Sequence, residues 1–234
     1  MLYLVATPIG NMADISARAL EVLSSVTVLA CEDTRRTRIL FSHHDLRWPS
    51  RVISYREHAE TSGGKRILDE LEAGTDVAVC SDGGMPSISD PGYRIVNLAI
   101  DAGMDVTVIP GASAVETGLA ISGLSTSSYV FKGFPPRKGG PLRRFFEDDG
   151  ASEHTMVFFE SPFRIKKTMA AAFEALGDRK CAVCFELTKM YERVHRGYLS
   201  DVVQALESDP LKGEITAVIA GNNPKFIRSD IVTL

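Results

Sequence analysis

The sequence predicts an α/β protein of two α/β domains, with a mostly parallel N-terminal sheet and a mixed C-terminal sheet. Three observations predict it. Short apolar runs alternate with amphipathic stretches through the first half of the chain, the pattern of parallel strands joined by crossover helices. After about residue 125 the rhythm changes, and strands follow one another across short links. The length of 234 residues, 44% apolar and 24% charged, suits one large domain or two ordinary ones.

Taken in order, LYLVA (2–6) reads as a strand, followed by the turn-rich TPIGNMAD. In ISARALEVLSSV, Ile15, Ala19, Leu20 and Leu23 recur at helical spacing on one face. VTVLAC (26–31) is a strand, TRRTRILF a basic helix, RVISY a short strand and 57–73 a helix. DVAVC (76–80) is a strand. It leads through SDGGMPSISDPG into the helix YRIVNLAIDAG, which Gly103 ends. DVTVIP is a strand, PGASA a turn and AVETGLAISG a helix, and the domain boundary is placed at 123/124. Beyond it, SSYVFKGF is a strand and PPRKGGPLRRF enters a helix. HTMVFFES is a strand, and a helix is expected to start at Pro162, a favoured first position. CAVCFELT, RVHRGYL and EITAVIAGN are strands, with the helix YLSDVVQALES between the last two.

Composition narrows the functional classes. No apolar stretch reaches membrane-span length, and the start MLYLVATPIGN has no basic region of the kind that opens a signal peptide. A cytoplasmic protein with no membrane partner is expected. Cys31, Cys80, Cys181 and Cys184 each lie in or beside a strand-like run. The two thiols of CAVC would point to opposite faces of a strand, so reduced core cysteines are expected rather than zinc ligands. The five histidines show no paired ligand spacing, and no metal is expected. The net charge of −4 argues mildly against nonspecific nucleic-acid binding by the whole surface.

Ligands of open α/β sheets bind beyond the carboxyl ends of strands. TPIGN, SDGGMPSISDPG and PGASA all lie at such ends and should open on one edge. Gly83, Gly84 and Gly92 permit close backbone approach, while Pro86 and Pro91 restrict the same twelve residues. An ordinary turn would account for any one of these loops taken alone. None has the Gly-Lys-Ser/Thr ending of a triphosphate-binding loop or the dinucleotide fingerprint. A ligand needing close backbone approach without a phosphate cradle fits better.

Eight motifs in order, LYLVATPIGN, ACEDTRRT, SDGGMPSISDPG, VIPGASA, FKGFPPRK, FFESPFRI, ELTK and KGEI, span nearly the whole chain. Together they resemble the tetrapyrrole methylase superfamily. Within it they are similar to the branch that methylates a cytidine ribose 2′-hydroxyl in the decoding region of small-subunit ribosomal RNA. The resemblance implies S-adenosylmethionine as methyl donor, a cleft between domains 1–123 and 124–234, and a homodimer. Where the superfamily more often has SDAGTP, this chain has Gly83 and Met85. GFLP is here GFPP, and ESPHR is here ESPFR. Longer members continue into a further C-terminal helical segment, whereas this sequence ends soon after EITAVIAGN.

On that resemblance Pro8, Asp82, Gly83, Gly84 and Met85 would hold the donor's methionine and ribose parts. Ala112, Ser113 and Ala114 would hold its other side, and Phe159 would form an apolar wall near the adenine. Plain core packing is the alternative for Phe159. A sulfonium methyl needs an attacking oxygen held in line, and positioning of that kind is worth roughly 7–11 kcal/mol. Glu32, Asp33, Glu160 and a Lys189 of lowered pKa are the candidates to assist a weakly acidic hydroxyl. Against that, Glu32 and Asp33 would also suit helix capping, and Glu160 would suit a pair with Arg164. Arg35, Arg36, Arg137, Lys138 and Arg164 are the candidate RNA contacts, within basic clusters that include Arg38, Arg143, Arg144, Lys166 and Lys167. Phe134, Phe163 and Tyr191 lie beside them as platforms for unpaired bases. The expected partner is small-subunit ribosomal RNA or its particle. Two other readings stay open: a methylase of a tetrapyrrole or other small molecule, and a non-catalytic ribosome-binding relative.

Overall fold

A computed structural model describes all residues except Glu57, Ala59 and 229–234. The chain divides into two compact units, Met1–Ser113 and Ala114–Leu234. The first carries a wholly parallel sheet of β1 (Leu2–Val5), β2 (Val28–Cys31), β3 (Arg51–Ser54), β4 (Val77–Cys80) and β5 (Val106–Ile109), in the order β3-β2-β4-β1-β5. The connecting helices are α1 (Ala17–Ser25), α2 (Thr34–His43), α3 (Glu60–Glu72) and α4 (Tyr93–Asp101).

The strands read as continuous apolar runs because both faces are covered. Leu2, Leu4, Val28, Ala30, Val77 and Val79 point to one face, where Ile67 and Leu71 of α3 and Ile95 and Ala99 of α4 pack. Val5, Leu29, Cys31, Ala78 and Cys80 point to the other, against Ala19 and Leu23 of α1 and Leu40 and Phe41 of α2. Helix starts follow local chemistry. Ser16 caps α1 by accepting from Ala19 N–H at 3.1 Å, and Asp33 caps α2 by accepting from Arg35 N–H at 2.9 Å. Of the helix expected at 57–73, Glu57 and Ala59 lie outside the described residues.

The second unit opens with α5 (Ala114–Ser122) and then carries β6 (Tyr129–Phe131), α6 (Gly139–Glu147), β7 (Thr155–Glu160), α7 (Ile165–Leu176), β8 (Lys180–Phe185), β9 (Arg193–Tyr198), α8 (Leu199–Ser208) and β10 (Ile215–Ile219). Its sheet runs β6-β7-β10-β8-β9, with β6/β7 parallel and the remaining pairs antiparallel. One face, through Phe158, Val183, Phe185 and Ala217, packs on α6, α7 and α8. Against the other lies α5, which approaches so closely that a Cβ on Gly118 would meet Thr216 Cγ2 at 2.7 Å. That contact groups α5 with the second unit, so the division falls one helix before the expected 123/124. Cys181 belongs to the α6–α8 core, while Cys184 Sγ points at Gly118 O on the α5 side. The two thiols of CAVC therefore face apart, as strand alternation requires.

One boundary differs from expectation. Pro162 does not open α7. Residues 161–164 form a turn in which Arg164 and Ile165 both donate to Ser161 O at 3.1 Å, and the helix starts at Ile165. The buried Glu160 just before the turn accounts for this, because its carboxylate also binds the Ser161 N–H at 2.7 Å.

Candidate functional site

In the first unit the connections from β1 and β2 run through α1 and α2 on one face, whereas β4 leaves through α4 on the other. Because β4 lies between β1 and β2, the chain diverges on both its sides, and such divergence opens a crevice at the carboxyl ends of strands. The loop SDGGMPSISDPG sits there and ties to both neighbours.

Toward β2, Asp82 Oδ1 accepts from Asp33 N–H at 2.9 Å, and its other oxygen lies 3.7 Å from the Arg36 guanidinium. Toward β1, Gly84 and Thr7 exchange two backbone hydrogen bonds, of 3.0 and 2.9 Å. Thr7 Oγ1 donates to Ser81 O at 3.2 Å, and Ser81 Oγ donates to Gly84 O at 3.3 Å. A Cβ on Gly83 would stand 3.2 Å from Pro8 O. Gly84, at φ +93°, would put one 3.8 Å from Ala112 O. Gly111 packs so tightly on Ala6 that its Cβ would come within 2.9 Å of the alanine methyl. TPIGN, SDGGMPSISDPG and PGASA therefore meet on one edge, lined by backbone and small residues, with the Asp82 carboxylate partly exposed.

This geometry assigns the residues more finely than their types do. Both backbone groups of Gly84 are committed to Thr7, so Gly84 joins the loops, and Met85 O in turn accepts from Ile88 N–H at 3.3 Å. Thr7 and Ser81, both buried, are the residues that sequence reasoning missed. A hydroxyl residue just past a strand end was their only signal. Ser113 and Ala114 lie where β5 gives way to α5.

The edge of β2 carries Glu32 and Asp33. Hydrogen bonds from the Arg35 side chain, 2.7 Å at the shorter, together with the Arg35 N–H, hold the Asp33 carboxyl far below the usual carboxylate range. Asp33 is thus a helix cap locked as an anion. Arg35 spends its Nε and Nη2 on that carboxylate, while Glu32 O accepts from Arg56 Nε at 3.0 Å.

In the second unit Glu160 is fully buried, and its carboxylate is surrounded by donors: Arg164 Nη2 at 2.6 Å, Thr168 Oγ1 at 2.6 Å and Ser161 N–H at 2.7 Å. Arg164 also donates to Pro135 O at 3.0 Å, fastening the 133–136 loop to the start of α7. That strut leaves Arg137, Lys138, Phe134 and the almost fully exposed Phe163 (96%) on the surface around it. Phe159 contacts the rings of Phe131 and Phe134 edge-on at 4.9 and 5.6 Å, forming a half-open aromatic cluster.

Lys189 binds Glu186 and Glu214, each at 2.8 Å. Desolvation opposes its charge, but the two carboxylates outweigh it and raise its pKa above the ordinary lysine value. The lowered pKa that a basic role for Lys189 would need is therefore absent. Glu186, at φ +52°, fills the space beside Gly213, where a Cβ would collide with its carboxyl at 2.2 Å. Among the described residues no group of three or more His, Cys, Asp or Glu could hold a metal ion.

Residues 1–203 match the family model of tetrapyrrole (corrin/porphyrin) methylases. The chain is 43% identical over 224 residues to ribosomal RNA small subunit methyltransferase I of Halalkalibacterium halodurans, covering 96% of this chain and 77% of that protein. It is 44% identical over 232 residues to the protein of that name in Mycobacterium tuberculosis, covering 99% and 81%. Among solved structures, cobalt precorrin-4 methyltransferase superposes with a TM-score of 0.68 at 17% identity, covering 94% of each chain. Uroporphyrin-III C-methyltransferase from Thermus thermophilus, complexed with S-adenosylhomocysteine, does so with 0.62 at 18%, covering 93% and 96%. At those identities the structures speak for the fold. A family model matched along residues 1–203 and relatives 43–44% identical across nearly the full length establish that the chain belongs to the tetrapyrrole methylase family.

Proposed function

We propose that the chain transfers a methyl group from S-adenosylmethionine to the ribose 2′-hydroxyl of a cytidine in the decoding region of small-subunit ribosomal RNA. The coarser part stands on the relatives: the chain is an S-adenosylmethionine-dependent methyltransferase of the ribosomal RNA kind. What carries the finer reading is the meeting of three loops at the divergence beside β4, on an edge where β2 adds the EDTRR segment. The donor, when bound, supplies a methyl already activated on a cationic sulfur.

The residues at this edge fit such a donor. The missing side chain at Gly83 lets this loop lie against the Pro8 carbonyl, which keeps the edge built of backbone and small residues. The partly exposed Asp82 carboxylate favours a nearby positive charge. Hydrogen bonds to Asp33 and Thr7 hold the loop in place before any ligand arrives, so little ordering is left to do on binding. Pro8, Asp82, Gly83, Met85 and Ala112 would hold the donor, while Thr7 and Gly84 join the loops that carry them. Among the candidate proton acceptors we assign Glu32 to the attacking hydroxyl on position alone: it follows β2 directly and precedes Asp33, whose N–H binds Asp82 on the donor edge. Arg36, Arg137 and Lys138 serve the RNA, and Arg35 and Arg164 act through the segments they brace. We further place the enzyme in the cytoplasm as a homodimer, which sedimentation equilibrium checks. Among the described residues no helix is long and apolar enough to cross a membrane.

The test is transfer of tritium from labelled donor to small-subunit particles lacking the modification. Label in the 2′-O-methylcytidine of those particles is the expected result. Label confined to porphyrinoid acceptors, or donor binding without transfer, would overturn the assignment.

A further inference from the structure

The outer face of α2 bears a feature that the donor edge does not use. An open hollow of about 850 Å³ is lined by Thr34, Arg35, Arg38, Ile39, Ser42 and His43. None of the six is acidic, on a chain of net charge −4. Arg38 lies over the ring of Trp48 at 4.6 Å, and Trp48 is itself set edge-on against Phe41 at 5.1 Å. Phe41 belongs to the buried core, so the guanidinium rests on a support anchored in the fold. Among the described residues no carboxylate pairs with Arg38, whereas Arg35 beside it is neutralised by Asp33. Ile39, 59% exposed, adds an apolar surface on a face where charge would be the easier choice.

We propose that this hollow seats one unpaired nucleotide of the RNA substrate, with its base on the free side of the Arg38 guanidinium and against Ile39. A planar cation already stacked on an aromatic ring has lost most of its rotamer freedom, so a second stack costs little further ordering. Unpaired bases are recognised on guanidinium and aromatic planes, and their phosphates seek uncompensated positive charge. The hydroxyls of Thr34 and Ser42 can hydrogen-bond the ribose. An acidic peptide would use the charge but would find no purpose for an exposed isoleucine beside a stacked plane. The proposal rests on RNA being the substrate and adds Arg38 and Ile39 as binding residues.

Trp48 is the single tryptophan, so its emission reports on the Arg38 stack. The intact chain is titrated with a ten-nucleotide single-stranded RNA, the same sequence as a duplex, and polyglutamate. Single-stranded RNA should change the emission saturably, and the duplex and polyglutamate should not. Arg38→Ala should weaken binding at least about five-fold, the lower end for loss of one base stack. Arg38→Lys keeps the charge but not the plane, and should lose nearly as much. Ile39→Glu, on an exposed position, should lose more. Calorimetric affinity for S-adenosylmethionine should be the same in all three variants. The seat is overturned if the variants bind single-stranded RNA as tightly as the parent, if Arg38→Lys restores full affinity, or if the duplex or polyglutamate binds equally well. A parent chain that labels particles while the variants show no loss discards the seat alone. A parent that neither labels particles nor binds RNA removes the function on which the seat depends.

Discussion

At the scale of single residues, Gly84 and Lys189 make the sharpest claims. Gly84 holds φ +93° while paired both ways with Thr7, and a Cβ there would touch Ile9 Cγ2 at 3.4 Å. An L side chain in that region costs roughly 1–2 kcal/mol. Gly84→Ala should therefore lower the unfolding free energy by about that much in urea titration. It should also weaken donor binding measured by calorimetry, because the Thr7 bridge sets the loop. Lys189 yields a pH prediction. Its raised pKa means that its contribution to stability is fully present below the ordinary lysine value and is lost only as pH rises past it. Glu186, lowered against desolvation by Lys189 and the Glu214 N–H, contributes above the ordinary glutamate value and loses its share as pH falls through the lowered one. The melting-temperature difference between the parent and Lys189→Met should stay constant from about pH 6 to 9 and shrink in acid. The rate profile of the parent should show no limb from Lys189 in the neutral range. The family resemblance made Asp82, Gly83 and Glu160 candidates, and the i,i+4 spacing made the Glu160–Arg164 pair legible. The bond from Asp33 N–H to Asp82 was not, because it joins positions 49 apart and depends on β2 lying beside β4.

At the scale of elements, every strand and helix expected from periodicity is present near its place, because burial on both sheet faces leaves a plain apolar signature in the first unit. The start of α7 was the exception. Pro162 is a favoured helix opener by type, yet the buried carboxylate of Glu160 claims the Ser161 N–H and the Arg164 side chain, and the helix waits for Ile165. That clamp separates two roles for Arg164. A simple RNA contact could be removed with little effect on stability, as at most exposed positions. A strut to a fully buried carboxylate could not, since breaking a buried pair costs about 3–5 kcal/mol. Arg164→Ala should thus show a large loss in chemical denaturation, whereas Arg137→Ala should stay within about 0.5 kcal/mol of the parent while weakening RNA binding. Equal and small losses for both would return Arg164 to the surface contacts.

At the scale of the whole molecule, a net charge of −4 has to be reconciled with a polyanionic substrate. Counting arginines and lysines misleads here, because neighbouring carboxylates pair with several of them: Asp33 takes Arg35, Glu160 takes Arg164, and Glu186 with Glu214 takes Lys189. Sequence alone shows the basic runs but not which members are spent in this way. Of the basic-run members, and among the described residues, Arg38, Arg137, Lys138, Arg144 and Lys167 pair with no carboxylate and are exposed. Each phosphate neutralised on a single strand contributes about −0.7 to the slope of log affinity against log salt. Five such contacts predict a slope of about −3.5, shallower than the basic-run count would give. A steeper slope would mean that the ion pairs open to meet the RNA, and a flat one that the basic surface is not used. Donor affinity, governed by short contacts on the Asp82 edge, should change little over the same salt range. Measured together on one preparation, the two salt dependences separate the donor edge from the RNA surface without any substitution.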